Sequence, residues 1–373
     1  MADCEEMMQS YIVSQPGLRR RPKLVRGNET RVNTTERVTG RIQHRADLQT
    51  MTPSERRRKR HVLPILLGLL VGTSCVANPP HLDPVPPSNP VVRVELTPGG
   101  PVVMLDLEEY VVGSILAEAD IRGLDANAAQ RVAQVQAILA RTYALANRTR
   151  HAHEGFDLCS TTHCQVYRSP EALSVPASNL ARSASRATSG LVISYDGLPI
   201  NALFHADCGG GTSDATVPWG GPTPPYLKAV GDAFCLRDNP TRWQFTVDRT
   251  DLKGALNHDP RTRVGTHLDT VKTTEKDQAG RVVSVVISGE KSGPAVRGEV
   301  LRQLLNGRFG SQSIKSTRFT LARRGDQFVF EGQGWGHGIG LCQRGAAARA
   351  RAGHSVAQIL RHYYSGASLT QYY

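Results

Sequence analysis

The chain reads as an α+β protein: mixed helices and antiparallel strands around a cleft, preceded by a disordered leader. Three observations predict this. Helix-period and strand-like runs occur together without regular βαβ alternation. The leader is polar, Arg-rich and then Pro-rich, a composition that builds no core. No repeat period is visible in the 373 residues.

The leader divides further. Arg56-Arg57-Arg58-Lys59-Arg60 precedes the apolar run Val62–Val71 and then Gly72-Thr73-Ser74-Cys75. That is the order of a secretory signal. The apolar run, at about ten residues, is too short to span a bilayer comfortably. Cys75 after small residues looks like a bacterial lipoprotein cleavage site, although Gly72 stands where Leu is usual; the alternative is an uncleaved anchor. Met51 stands just ahead of the basic run. Residues 1–50 are therefore expected to be a disordered or mis-called extension, and residues 51–75 the signal peptide. Residues 76–91 form a Pro-rich linker, and residues 92–373 the folded domain. The expected location is the periplasm or cell envelope, with a lipid on Cys75 holding the membrane. Net charge is +12, and residues 1–61 hold 14 Lys+Arg against 7 Asp+Glu. Most of the excess sits in the leader, which argues against nucleic acid as a partner.

Within the folded part, Val91–Leu105 reads as a strand pair around Pro98-Gly99-Gly100-Pro101. Asp106 with Glu109 three residues on gives a capping-box pattern. The helix it opens runs to Glu118 or Ala119, with Val111, Val112, Ile115, Leu116 and Ala119 as its apolar stripe. A second helix is expected over about Ala126–Asn147, and His151–Tyr167 follows as a loop. Leu191–Tyr195 and Pro199–His205 flank Asp196-Gly197 as a hairpin. Strands are expected at Trp243–Val247, Arg281–Ile287, Arg318–Leu321 and Gln327–Phe330, with a helix at Gly298–Leu305. Cys342–Ala352 and Ser355–Tyr364 close the chain as helices.

The loop His151–Tyr167, HAHEGFDLCSTTHCQVY, crowds two cysteines and three histidines together. His153, Cys159, His163 and Cys164 offer two nitrogens and two sulfurs, a set that suits tetrahedral zinc. His151 is the reserve ligand. A Cys159–Cys164 disulfide is the alternative in an oxidising compartment. Four protein ligands would make the zinc structural, with no catalytic metal and no organic cofactor. His153-Glu154 lacks a histidine four residues on, which disfavours a zincin peptidase. Cys208 and Cys235 read as a disulfide closing a loop, worth roughly 3.5 kcal/mol on the loop-entropy model; two buried thiols are the alternative.

Six segments in order resemble the SpoIID/LytB family, the stage II sporulation protein D and amidase-enhancer group. They are LEEYVVGSILAE (107–118), QAILARTYAL (136–145), FDLCSTTHCQVY (156–167), FHADCGGGT (204–212), PYLKAV (225–230) and GQGWGHGIGLCQRGA (332–346). The resemblance covers about residues 92–370. It implies cleavage or binding of peptidoglycan glycan strands, the sporulation member being a lytic transglycosylase. It carries the catalytic acid onto Glu118 and a zinc onto His153, Cys159, His163 and Cys164. Ala119-Asp120 replaces the Met-Pro common after that glutamate, and Cys342 replaces a common Ser.

Glu118 also has the right setting on a helical wheel. It lies at the border of the buried face near a helix C-terminus, where desolvation and the helix dipole both raise a carboxyl pKa. Glu108 and Glu109, the rival carboxylates, are explained by capping. Zinc would hold Gln165 and Tyr167 toward the cleft. Gly209 and Gly210, beside His205, would let a sugar approach the backbone; His337 lies in a second glycine-rich run, where Trp335 reads as a packing residue. Gln343 matches the family motif and is expected to reach substrate. Arg141 is expected to pair with a carboxylate near the cleft, Glu118 being one option. One glutamate would protonate the leaving oxygen and then accept the proton of the attacking C6 hydroxyl, leaving 1,6-anhydro ends. Two rivals remain open: a non-catalytic glycan binder that enhances an N-acetylmuramyl-L-alanine amidase, and a zinc amidase.

Overall fold

The structure, a computed structural model, describes residues 90–172, 174–237 and 240–373. The extension, the signal peptide with Cys75, and nearly all of the linker lie outside the described residues. No helix among the described residues is long and apolar enough to cross a membrane.

Helices and mostly antiparallel sheets build two hydrophobic cores, the α+β class expected. The first core begins with the hairpin β1 (Val91–Glu95) and β2 (Val102–Asp106), paired with Val91 opposite Asp106. Helix α1 (Leu107–Glu118) follows directly. The Asp106 side chain accepts from the Glu108 amide, as a cap should. The reciprocal half of the capping box is replaced: Glu109 takes an ion pair from Arg182 instead. Helix α2 (Ala126–Ala146) is the axis of this core. Its alanines and Val132, Val135, Ile138 and Leu139 are buried on nearly every side, because other elements surround it. These include α1, α3 (Val175–Ala187) and strand β4 (Leu191–Tyr195). The small residues let these neighbours approach closely.

Strand β3 (Leu158–Cys159) joins β1 in parallel and carries the His/Cys loop. The β4–β5 hairpin is shorter than expected. After Asp196 and Gly197, both at positive φ, only Leu198–Pro199 (β5) pairs back. The chain then leaves, and β6 (Phe204–His205) pairs in parallel with the distant β13 (Leu341–Cys342). This crossing brings the two glycine-rich motifs together. The short helix α4 (Thr216–Trp219) lies between.

The second core lies between two antiparallel sheets. One is ordered β11 (Phe319–Arg324), β12 (Gln327–Gln333), β7 (Arg242–Asp248); the other is β10 (Val296–Arg297), β9 (Val282–Gly289), β8 (Leu268–Lys276). Helices α5 (Arg249–Asn257) and α6 (Gly298–Phe309) supply Leu252, Leu256, Leu301 and Leu305 to it. The chain ends with α7 (Gln343–Arg351), capped by Cys342, α8 (Val356–Tyr363), capped by Ser355, and β14 (Ser368–Gln371) on the edge of β4. Sequence periodicity missed α3, α5, β8 and β14. Helix α3 is Ser- and Arg-rich, and only Ala181, Ala184 and Ser185 of it are buried, so its apolar stripe is too thin to read.

Candidate active site

Helix α1 stops at Glu118 because Ala119 turns extended, its amide closing on the Ile115 carbonyl at 2.9 Å. The Glu118 carboxyl therefore leaves the last turn, half-buried, facing the loop that follows the His/Cys segment. Oε1 accepts the Val166 amide at 2.9 Å, and Oε2 has no hydrogen-bond partner among the described residues. Burial raises its pKa; the Val166 amide and the Arg168 charge draw it back only in part. The Gln343 amide reaches the backbone carbonyl of the same residue at 3.0 Å. Three separated motifs thus meet at one residue.

The loop is held by packing against α1. Tyr167 stacks on Tyr110, with centroids 5.9 Å apart and planes 6° from parallel. Gly113 makes this possible, since a Cβ there would lie 2.2 Å from the Tyr167 ring. Ser160 Oγ donates to the Tyr167 carbonyl at 2.9 Å and accepts its amide at 3.2 Å. Gln165 lies beneath, buried, accepting the Tyr110 hydroxyl at 3.1 Å. It braces the floor rather than reaching toward the cleft.

Behind this loop the His/Cys cluster forms with one change of member. Ligand atoms of His151, Cys159, His163 and Cys164 all lie within 4.8 Å of one another. His153, expected as a ligand, is 78% exposed in its side chain and turns to Glu154. The one-turn helix 152–154 sends it outward, while His151 stays buried, stacked on Phe156 with centroids 4.6 Å apart. Cys159 and Cys164 are unbridged. Cys159 is pulled down to about 3 by hydrogen bonds from the Cys164 thiol, His163 and Thr161. Two imidazoles and two sulfurs so close together fit zinc, and the Glu154 carboxylate behind His151 Nδ1 is the outer partner such ligands take.

Arg141 corrects another expectation. It is fully buried and pairs with Glu108, not Glu118: Nε to Oε1 and NH2 to Oε2, both 2.7 Å. The hydroxyls of Ser185 and Tyr373 also donate to Glu108. Arg141 thus reaches the start of α1. Glu118 is spared a close cation.

The glycine-rich motifs pack against protein. A Cβ on Gly209 would meet Arg318 NH1 at 2.8 Å, and one on Gly210 would meet Leu236 at 3.0 Å. Their close approach is to side chains of this chain. His205 is buried, with Nδ1 on the Ile339 carbonyl at 3.1 Å. His337 uses Nε2 on the Phe204 carbonyl and Nδ1 on the Ile339 amide, both at 3.0 Å. Burial pushes His337 down to about 3, helped by the charges of Arg302 and Arg281. Both rings are neutral and tie β6 to β13. Trp335, read as packing, is 38% exposed with Lys315 over its ring at 5.0 Å.

Cys208 and Cys235 are unbridged, buried thiols, and Cys342 is buried beside them. An open groove of about 700 Å³ lies in the second sheet region, lined by Arg242, Trp243, Lys276, Arg318 and Glu331 among others; Glu118 is not on its wall. Sequence reading missed three groups that matter at the site: the Val166 amide, Arg168 and Tyr110. The signal for Tyr110 was its place beside Gly113 in the first motif.

The fold and site define an α+β protein with a half-buried carboxyl, Glu118, gripped by the loop of a His/Cys knuckle. A family model described as stage II sporulation protein matches residues 100–195, and a domain of unknown function (DUF8618) matches residues 236–340. The chain is 29% identical over 307 residues to stage II sporulation protein D of Bacillus amyloliquefaciens, covering 78% of this chain and 81% of that protein. It is 27% identical over 299 residues to the protein of the same name in Bacillus subtilis, covering 77% and 80%. It is 28% identical over 283 residues to the amidase enhancer of Bacillus subtilis, covering 64% of this chain and 38% of that protein. These similarities support the resemblance to the SpoIID/LytB family.

Proposed function

We propose that this protein acts on the bacterial cell wall, cleaving peptidoglycan glycan strands as a lytic transglycosylase with Glu118 as its acid and base. The observation that carries this is the setting of one carboxyl. Glu118 has a raised pKa, one oxygen fixed by the Val166 amide and the other without a protein partner. A carboxyl with a raised pKa keeps its proton to higher pH and can donate it to a glycosidic oxygen. The resulting carboxylate then accepts the proton of the muramic acid C6 hydroxyl as that oxygen bonds to C1. The leaving chain carries the first proton, and Glu118 ends protonated. No second carboxylate is needed, because no water must be activated. General acid–base help of this kind supplies about 10²–10⁴ in rate. Orientation of the strand supplies more.

His151, Cys159, His163 and Cys164 would hold a structural zinc. Bound there, it would fix the loop whose Val166 amide aims Glu118, with no open position for water. Export through the signal at residues 51–75, with lipid on Cys75, fits a substrate outside the cytoplasm.

The test is product analysis. Wild type incubated with glycan strands stripped of stem peptides is expected to yield 1,6-anhydro ends by mass spectrometry, and Glu118→Gln to bind the strands without making them. The amidase-enhancer relative favours a second reading, in which the protein only binds glycan. Wild type that makes no anhydro ends but stimulates a partner amidase supports that reading instead.

A further inference from the structure

Three cysteines far apart in sequence meet in the interior, well separated from the His/Cys knuckle in the chain. Cys208 follows β6, Cys235 closes the turn after Asp232, and Cys342 caps α7. Their sulfurs and a carboxylate oxygen of Asp232 all lie within 4.8 Å of one another, and all four residues are at most 1% exposed. Cys235 Sγ is 3.7 Å from Cys342 Sγ, and Cys208 Sγ is 3.6 Å from Asp232 Oδ2. Zinc–sulfur bonds of 2.3 Å and zinc–oxygen bonds near 2.0 Å set tetrahedral edges of about 3.5–3.8 Å. The observed spacings match those edges.

Backbone amides and charged side chains face the cluster, and the Cys235 thiol also donates to Asp207 Oδ1 at 3.1 Å. Cys342 Sγ accepts the amides of Cys208 at 3.2 Å and Gly345 at 3.3 Å, and Cys208 Sγ accepts the Gly210 amide at 3.4 Å. Asp232 is fixed by Arg349 at 3.2 Å and by the Tyr363 hydroxyl at 2.6 Å. A Cβ on Gly345 would lie 2.0 Å from its Oδ2, so only glycine admits the carboxylate there. Arg281 gives an independent sign. Its guanidinium is fully buried, with NH2 on the Cys208 carbonyl at 3.3 Å and NH1 on the Gly336 carbonyl at 3.2 Å. Nε has no acceptor, and the guanidinium hydrogen-bonds no carboxylate. A buried guanidinium that hydrogen-bonds only carbonyls is costly; thiolates at the adjoining cluster would add to the nearby charges of Asp277 and Glu299 in answering it.

We propose that Cys208, Asp232, Cys235 and Cys342 form a second, structural zinc site, a closed shell of three sulfurs and one oxygen. Thiolates select a borderline-soft divalent ion. Binding converts three thiols to thiolates and releases their three protons to solvent. The ion ties the loop after β6, the 232–235 turn and the start of α7 together. Helix α7 opens with Gln343, so the site would set the amide that holds the Glu118 carbonyl. The proposal rests on this cluster alone and stands whether or not the protein cleaves glycan.

The experiment uses the full chain, reconstituted with zinc under reducing conditions. Metal content is read by plasma mass spectrometry and the ligand shell by zinc X-ray absorption. Wild type is expected to hold two zinc ions per chain. The double variant Cys159→Ser/Cys164→Ser, which dismantles the knuckle, is expected to keep one, with three sulfur ligands. Adding Cys342→Ser should then remove that ion. A folded knuckle variant that holds no zinc overturns the proposal. So does an intact mass, purified without reductant, two hydrogens light with Cys208 and Cys235 in one linked peptide. Should the variants fail to fold, wild type decides: two ions support the site, and one ion with two sulfurs and two nitrogens overturns it.

Discussion

The two ends of α1 put the same side chain to opposite uses. Glu108 opens the helix and Glu118 ends it, and both lose water on folding. At Glu108, burial alone would raise the pKa, but hydrogen bonds and charge from Arg141, with Ser185 and Tyr373, outweigh it and hold the carboxyl low. At Glu118, burial faces only one backbone amide and the more distant Arg168, and the pKa stays high. A fixed anion and an available acid are therefore made from one residue type by the presence or absence of a buried guanidinium. Burial by itself does not assign a role; the partner does.

The sharpest way to break this comparison is to remove the acid at one end and the cation that holds the carboxylate at the other. Glu118→Gln is expected to lower turnover by about 10²–10⁴ with stability nearly unchanged, read as initial rates beside a urea melt. Arg141→Ala should do the reverse. It leaves Glu108 buried without its cation, and unfolding by urea should show a loss of about 3–5 kcal/mol. Equal loss of activity and stability in both variants would erase the distinction between the two ends.

How far this contrast was legible depends on what each feature needs. Glu118 could be found from a helix stripe and a motif, because both are local. The strands β1, β2, β7 and β12 were likewise visible as short apolar runs. Arg141 was correctly seen as a cation out of place in an apolar helix, yet its partner was not visible. Choosing between Glu108 and Glu118 requires knowing which end of α1 crosses α2 at that level. His151 and His153 differ only in which side of a one-turn helix they occupy, and spacing alone ranks them equally. The glycines after β6 announced close approach, but not that Arg318 and Leu236 make it. Tertiary crossings decide all of these.

Acidity separates the two ends without mutation. Glu108 has a lowered folded pKa, so its stabilisation is present above the ordinary glutamate value and is lost as pH falls through the lowered one. Glu118 has a raised pKa, so its acid form, and with it the rate, is expected to decline as pH climbs through that raised value. Stability should therefore fall on the acid side while activity falls on the other, measured by melts and initial rates on one set of buffers.

The smallest effect is expected at Gln343. Its amide bonds the Glu118 carbonyl and leaves the carboxyl untouched. Gln343→Ala should cost about 1 kcal/mol of positioning, a five- to tenfold drop in turnover with little change in strand binding.

Side-chain carboxyl NMR titration of Glu108 and Glu118 in the intact protein, assigned with Glu108→Gln and Glu118→Gln, tests the central claim most directly. The account predicts that Glu118 titrates above about 4.3, the value of an unperturbed glutamate, and Glu108 below it. A Glu118 carboxyl that titrates at or below that value would leave no stored proton to lend, and would contradict it.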